Sequence, residues 1–218
     1  MINGIRIKVC GLTSLVDAEF ADRCGVDYLG FVLYPKSPRH VAPTQFRAMA
    51  AKLPDRKKVA VMVEPSAAEM AEAIALKFDF FQVHFPHDLP LETVAGWSQA
   101  VRPGRLWLAP RLPPGVGLPP VLLPLAKTFL LDTYDPDKAG GSGRTGDWEE
   151  FRRCKAANPR MTWILAGGLN ADIIGPALAA TGARFVDVNS GVEAAPGVKD
   201  PEKLKSFIVR LHEATKKD

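Results

Sequence analysis

The chain has 218 residues, 47% of them hydrophobic and 24% charged, with 18 glycines and 19 prolines, values that exclude a disordered or fibrous protein and fit one large globular domain. Lysine and arginine outnumber aspartate and glutamate by 28 to 24, a formal charge of +4; the excess suits a small anionic substrate, and no stripe of basic and aromatic residues points to nucleic acid. Three cysteines, Cys10, Cys24 and Cys154, lack C-x-x-C spacing, which argues against a disulfide framework or a zinc site, and no apolar run approaches the roughly 18 residues of a membrane span, so the reading is a cytoplasmic protein without membrane or metal.

Short runs of β-branched and aromatic residues recur along the chain: 5–10, 28–33, 58–63, 80–84, 106–109, 128–132, 162–166 and 185–189. Their starts lie 22 to 34 residues apart, the spacing of strands that are each followed by a returning helix. Helix starts are legible in the same order. Thr13 or Ser14 and then Thr44 read as N-caps, Ser66 with Glu69 as a capping box, and Asp147 with Glu150 as a second one. Asn170 is a further cap, and Asp200 is a cap followed by proline at the first helical position, after which Leu204, Phe207, Ile208 and Leu211 form an apolar stripe.

Eight strand–helix units admit a closed parallel barrel or an open doubly wound sheet. No G-x-G-x-x-G follows the first strand, and the unit count matches closure at eight, so the expected fold is a single-domain (β/α)8 TIM barrel over residues 1–218. The fifth helix should be short or irregular, because residues 110–124 hold six prolines.

Side chains alternate across a strand, and helices cover the apolar side. Ile5, Ile7 and Val9 therefore point out and Lys8 and Cys10 point in, with Cys10 at the carboxyl end, where barrel enzymes gather their chemistry. The same parity turns Gln82 and His84, Leu130 and Asp132, and Asp187 and Asn189 inward. The first and eighth strands are neighbours in a closed barrel, which makes Lys8 and Asp187 candidates for an interior ion pair. Glycine turns at Gly167-Gly168 after the seventh strand and Ser190-Gly191 after the eighth, with Gly141-Ser142-Gly143 after the sixth, expose backbone N–H groups where barrels bind phosphate.

Eight blocks of this chain, in order, resemble the phosphoribosylanthranilate isomerases of tryptophan biosynthesis. They are Lys8-Val9-Cys10-Gly11-Leu12-Thr13, Gly30 to Arg39, Gln82-Val83-His84, Leu130-Leu131-Asp132, Gly140 to Thr145, Asp147-Trp148, Ala166-Gly167-Gly168-Leu169, and Asp187 to Glu193. The resemblance implies a cofactor-independent Amadori rearrangement of N-(5-phosphoribosyl)anthranilate, with Asp132 as general acid and Cys10 as general base. It places Arg39 on the anthranilate carboxylate and the 5-phosphate on Gly167, Gly168, Ser190 and Gly191, with Gly141, Ser142 and Gly143 closing over it. Lys8, Gln82, His84 and Asn189 complete the expected substrate-binding set.

The chemistry makes demands on both titrating groups. Cys10 needs a positive neighbour, for which Lys8 is the candidate, and Asp132 needs partial desolvation to carry a proton. The family's glycine after the histidine is here Phe85, a change expected to reshape a wall of the pocket. Alternatives are a related isomerase of aminated sugar phosphates or a non-catalytic phosphate-binding barrel, and the expected assembly is a monomer or a homodimer.

Overall fold

The computed structural model describes residues 1–113, 115–132 and 148–216. Eight parallel strands close into a barrel in sequence order: β1 (Arg6–Val9), β2 (Tyr28–Val32), β3 (Lys57–Val63), β4 (Phe80–Pro86), β5 (Leu106–Arg111), β6 (Thr128–Leu131), β7 (Thr162–Leu165) and β8 (Phe185–Val188). Around them run α1 (Leu15–Arg23), α2 (Pro43–Ala50), α3 (Ala67–Ala75), α4 (Leu91–Val101), α5 (Trp148–Ala157), α6 (Ile174–Thr181) and α7 (Pro201–Ala214). Where the prolines crowd, a 3-10 turn at Pro120–Leu125 replaces the helix between β5 and β6, as the missing amide hydrogens require.

The caps explain most helix starts. Ser14 accepts from the Asp17 amide, Ser66 and Glu69 form the reciprocal box, and Asp200 accepts from the Glu202 and Lys203 amides. Thr44 does not cap. Pro43 occupies the first turn with its φ already helical, so α2 begins before Thr44, with Ala42 as its flanking residue. Asn170 caps the turn leading into α6 by accepting from the Asp172 and Ile173 amides. Asp147 lies outside the described residues.

Parity divides the core into two shells. Ile5, Ile7 and Val9 pack between barrel and helices with Phe46, Phe81, Phe129, Phe151 and Phe207. Inside the barrel, Tyr28, Phe80, Trp107 and Phe185 form an aromatic floor. The Tyr28 and Phe185 rings stack at 4.8 Å, and Trp107 meets Phe80 at 5.0 Å and Phe185 at 5.4 Å. Barrel closure aligns Lys8 of β1 with Asp187 of β8. After β8 the chain adds a hairpin absent from the expected pattern, β9 (Glu193–Ala195) against β10 (Val198–Lys199). Among the described residues no helix is long and apolar enough to cross a membrane.

Candidate active site

Above the aromatic floor, the carboxyl ends of the strands enclose a cavity of about 630 Å3. Cys10 and Asp132 both line it, as do Gln82, His84, Gly167, Gly168, Asn189 and Ser190. Cys10 is fixed by the hydrogen bond its backbone N–H donates to the Val188 carbonyl at 2.9 Å, which continues the β1–β8 ladder to the rim. Asp132 is the residue after β6 and is half-buried. Gly141, Ser142 and Gly143 lie outside the described residues.

Lys8 does not line the cavity. It lies fully buried beneath the mouth, its ammonium 2.8 Å from Asp187 Oδ2. Burial opposes the charge on Lys8, but Asp187 and Cys10 together outweigh it and hold the ammonium above its ordinary pKa. The long side chain fits because β2 carries glycine opposite it. A Cβ on Gly30 would lie 2.9 Å from Lys8 Cε and 3.1 Å from the Cys10 backbone. Lys8 acts on the thiol in the expected direction but does not activate it on balance. Burial pushes Cys10 up, Lys8 pulls it down, and Asp187 pushes it up again, leaving it above the ordinary thiol value.

On β4, Gln82 Nε2 lies 2.7 Å from His84 Nε2, a bond a neutral imidazole can accept. Burial, reinforced by Lys8 and Arg111, lowers His84 to about 3, so at neutral pH this wall is polar and uncharged. Phe85 does not reshape the pocket: it points to the outer shell, where its ring meets Trp97 at 5.6 Å. The parity that turns Gln82 and His84 inward also turns Phe85 outward. Arg111 lines the cavity and pairs with Glu64 at 3.3 Å. Ending the fifth strand at Ala109 hid it, since β5 runs through Pro110 to Arg111, where inward parity continues.

The two glycine turns interlock. Gly167 and Gly168 both have positive φ, 92° and 62°, conformations that glycine adopts without steric cost. A side chain on Gly191 would collide with the Leu169 carbonyl, so only glycine lets the loop after β8 nest on the loop after β7. Gly191 itself serves this close approach, while Ser190 reaches the cavity.

Arg39, in the loop after β2, lines the mouth but is not idle. Its Nε and Nη2 donate to Glu193 at 2.9 and 2.7 Å, and Lys199 donates to the same carboxylate at 2.9 Å. Lys199 also donates to Asn189 Oδ1 at 2.9 Å. Burial alone would raise Glu193, but Arg39 and Lys199 hold it below its ordinary value. One carboxylate between two cations leaves net positive charge at the rim, and the Nη1–Nη2 end of Arg39 can still receive a second carboxylate in fork geometry. Neither Glu193 nor Lys199 was an expected site residue. Only the β9–β10 hairpin brings them to Arg39. Among the described residues, no cluster of His, Cys, Asp and Glu could hold a metal ion.

A closed eight-stranded barrel with a carboxyl, a thiol and two glycine turns around one cavity at the carboxyl ends of its strands has the architecture of (β/α)8-barrel enzymes. Residues 7–210 match the family model described as N-(5'phosphoribosyl)anthranilate (PRA) isomerase. The N-(5'-phosphoribosyl)anthranilate isomerase of Zymomonas mobilis is 36% identical over 95% of this chain and 99% of its own length. The Thermus thermophilus phosphoribosyl anthranilate isomerase structure superposes with a TM-score of 0.80 at 31% identity, covering 96% of this chain and 99% of that one. A further family structure, in complex with reduced 1-(o-carboxyphenylamino)-1-deoxyribulose 5-phosphate, covers 96% and 99% with a TM-score of 0.72 at 28% identity. The chain belongs to the phosphoribosylanthranilate isomerase family and is an isomerase.

Proposed function

We propose that this protein catalyses the Amadori rearrangement of N-(5-phosphoribosyl)anthranilate to 1-(2-carboxyphenylamino)-1-deoxyribulose 5-phosphate, with Asp132 as general acid and Cys10 as general base. The observation that carries the reading is that Cys10 and Asp132, distant in sequence, line one cavity together with Arg39 and both glycine turns. Asp132 gives its proton to the ribose ring oxygen as the C1–O bond breaks, and the anilino nitrogen becomes the nitrogen of a Schiff base. The Cys10 thiolate then takes the proton from C2, giving an enolamine, which becomes the ketone as C1 gains a proton from solvent and the C2 hydroxyl loses its own. Each transfer needs a titratable group positioned within reach of the proton it moves.

The anionic ends of the substrate match the cations and amides available. Its phosphate suits the backbone N–H groups around Gly167, Gly168 and Ser190. Its aryl carboxylate suits the open end of Arg39, and Lys199 keeps Glu193 from neutralising that end completely. Reaction draws on the thiolate fraction of Cys10, which Lys8 enlarges and burial limits. The relative solved with the reduced product analogue carries a ligand of this same class. The direct trial mixes the protein with freshly prepared phosphoribosylanthranilate and follows the fluorescence of the anthranilate group. A catalysed decay is expected, and a decay no faster than the spontaneous one would end the proposal.

A further inference from the structure

At the other end of the barrel, where the strands begin, a second cavity of about 450 Å3 opens between β7, the approach to β8 and the last turn of α5. Its floor includes Met161 and Trp163; its charged lining is Arg6, Arg152, Lys155 and Arg184, with no aspartate or glutamate. Lys155 is engaged, donating to the Thr181 and Gly182 carbonyls at the end of α6. Among the described residues Arg6, Arg152 and Arg184 make no ion pair, as is also true of Arg23, Arg47, Arg102, Arg105 and Arg160, but only these three share a cavity with one another. Arg6 is nonetheless held in place, its guanidinium 4.6 Å above the Phe185 ring.

Four like charges around one cavity repel one another. The carboxyl ends of α5 and α6 supply only about half a negative charge each, which leaves the cavity strongly positive. Its volume falls within the roughly 300–1,000 Å3 of small-molecule sites, and its floor is apolar while its rim is cationic. We propose that this cavity is a second ligand site, separate from the mouth, for a small amphipathic anion: a phosphate or carboxylate carried on an apolar body about the size of one aromatic ring. The guanidiniums of Arg152 and Arg184 take the anionic group, Arg6 flanks it, and the ring rests on Met161 and Trp163.

Phenyl phosphate is a suitable ligand for the test, with inorganic phosphate as its counterpart lacking the apolar body. With the mouth saturated by reduced 1-(o-carboxyphenylamino)-1-deoxyribulose 5-phosphate, calorimetric titration of the full chain should show phenyl phosphate bound, and weakened at least tenfold in the R152S/R184S double variant. Both substituted arginines are exposed, so circular dichroism and turnover should match the parent. Inorganic phosphate should bind at least tenfold more weakly than phenyl phosphate. Three results would overturn the proposal: binding that survives R152S/R184S, equal affinity for the two phosphates, or a dimer in sedimentation that R152S/R184S splits, which would make the cavity an interface between copies.

Discussion

The floor and the mouth of this barrel are built from the same strands, two to four residues apart. Strand β4 sends Phe80 down and Gln82 and His84 up, β5 sends Trp107 down and Arg111 up, and β8 sends Phe185 down and Asp187 up. At about 3.3 Å per residue, that is a separation of only about 7–13 Å. Below, four aromatic rings exclude water and lock the strand register. Above, the same register holds a thiol, two carboxyls and an imidazole against one cavity, with the Lys8 ammonium buried beneath them and paired to Asp187. The floor therefore bears on stability and the mouth on chemistry, and substitutions at each level should separate the two.

The largest effect belongs to the mouth. Cys10→Ser and Asp132→Asn should each lower kcat by about 10²–10⁴-fold, with the thermal midpoint within a few degrees of the parent. Steady-state kinetics alongside thermal denaturation would expose an error: a variant that keeps parental kcat has no proton to move. Next comes the floor. Trp107→Ala removes a buried ring that touches Tyr28, Phe80 and Phe185 and should cost about 3–5 kcal/mol in urea denaturation. The kcat per folded molecule should stay within a few-fold of the parent; a collapse of kcat in the folded fraction would mean that floor and mouth are not separable.

The smallest effect sharpens the boundary between the levels. His84 sits at about 3 in the folded protein against 6.5 in an exposed chain. A depressed pKa means that folding disfavours the protonated form, so stability is full above the unfolded value and is lost as pH falls from there toward the folded one. By about pH 5 the loss through this group should be roughly 2 kcal/mol. Denaturation midpoints of the parent and His84→Asn at neutral and acidic pH measure it, and equal slopes would show that the imidazole is not buried neutral.

Much of this was legible in one dimension because it depends on local periodicity. Period-two alternation on β1 and β4 turned Lys8, Cys10, Gln82 and His84 inward, and the capping residues Ser14, Ser66 and Asp200 marked helix starts through bonds to amides two or three residues away. The Lys8–Asp187 pair was legible too, because closure at eight strands makes the first and last neighbours. What escaped had long-range causes. Arg111 was hidden by a proline that β5 tolerates because its missing donor still leaves the strand paired with β4 through Arg111. Glu193 and Lys199 were hidden because a short hairpin has no strong periodic signal.

By itself, then, the amino-acid order determined eight parallel units, which face of each strand meets water or helix, and the identity of the thiol and carboxyl offered to the mouth. Those follow from bonds and burial within a few residues. Only the tertiary structure decided that the Cys10 thiol is held above its ordinary pKa, that Arg39 shares Glu193 with Lys199, and that four cations ring a cavity at the barrel's base. Charge energies depend on distance through space and on depth from solvent, and neither is fixed until closure of the barrel brings remote segments together.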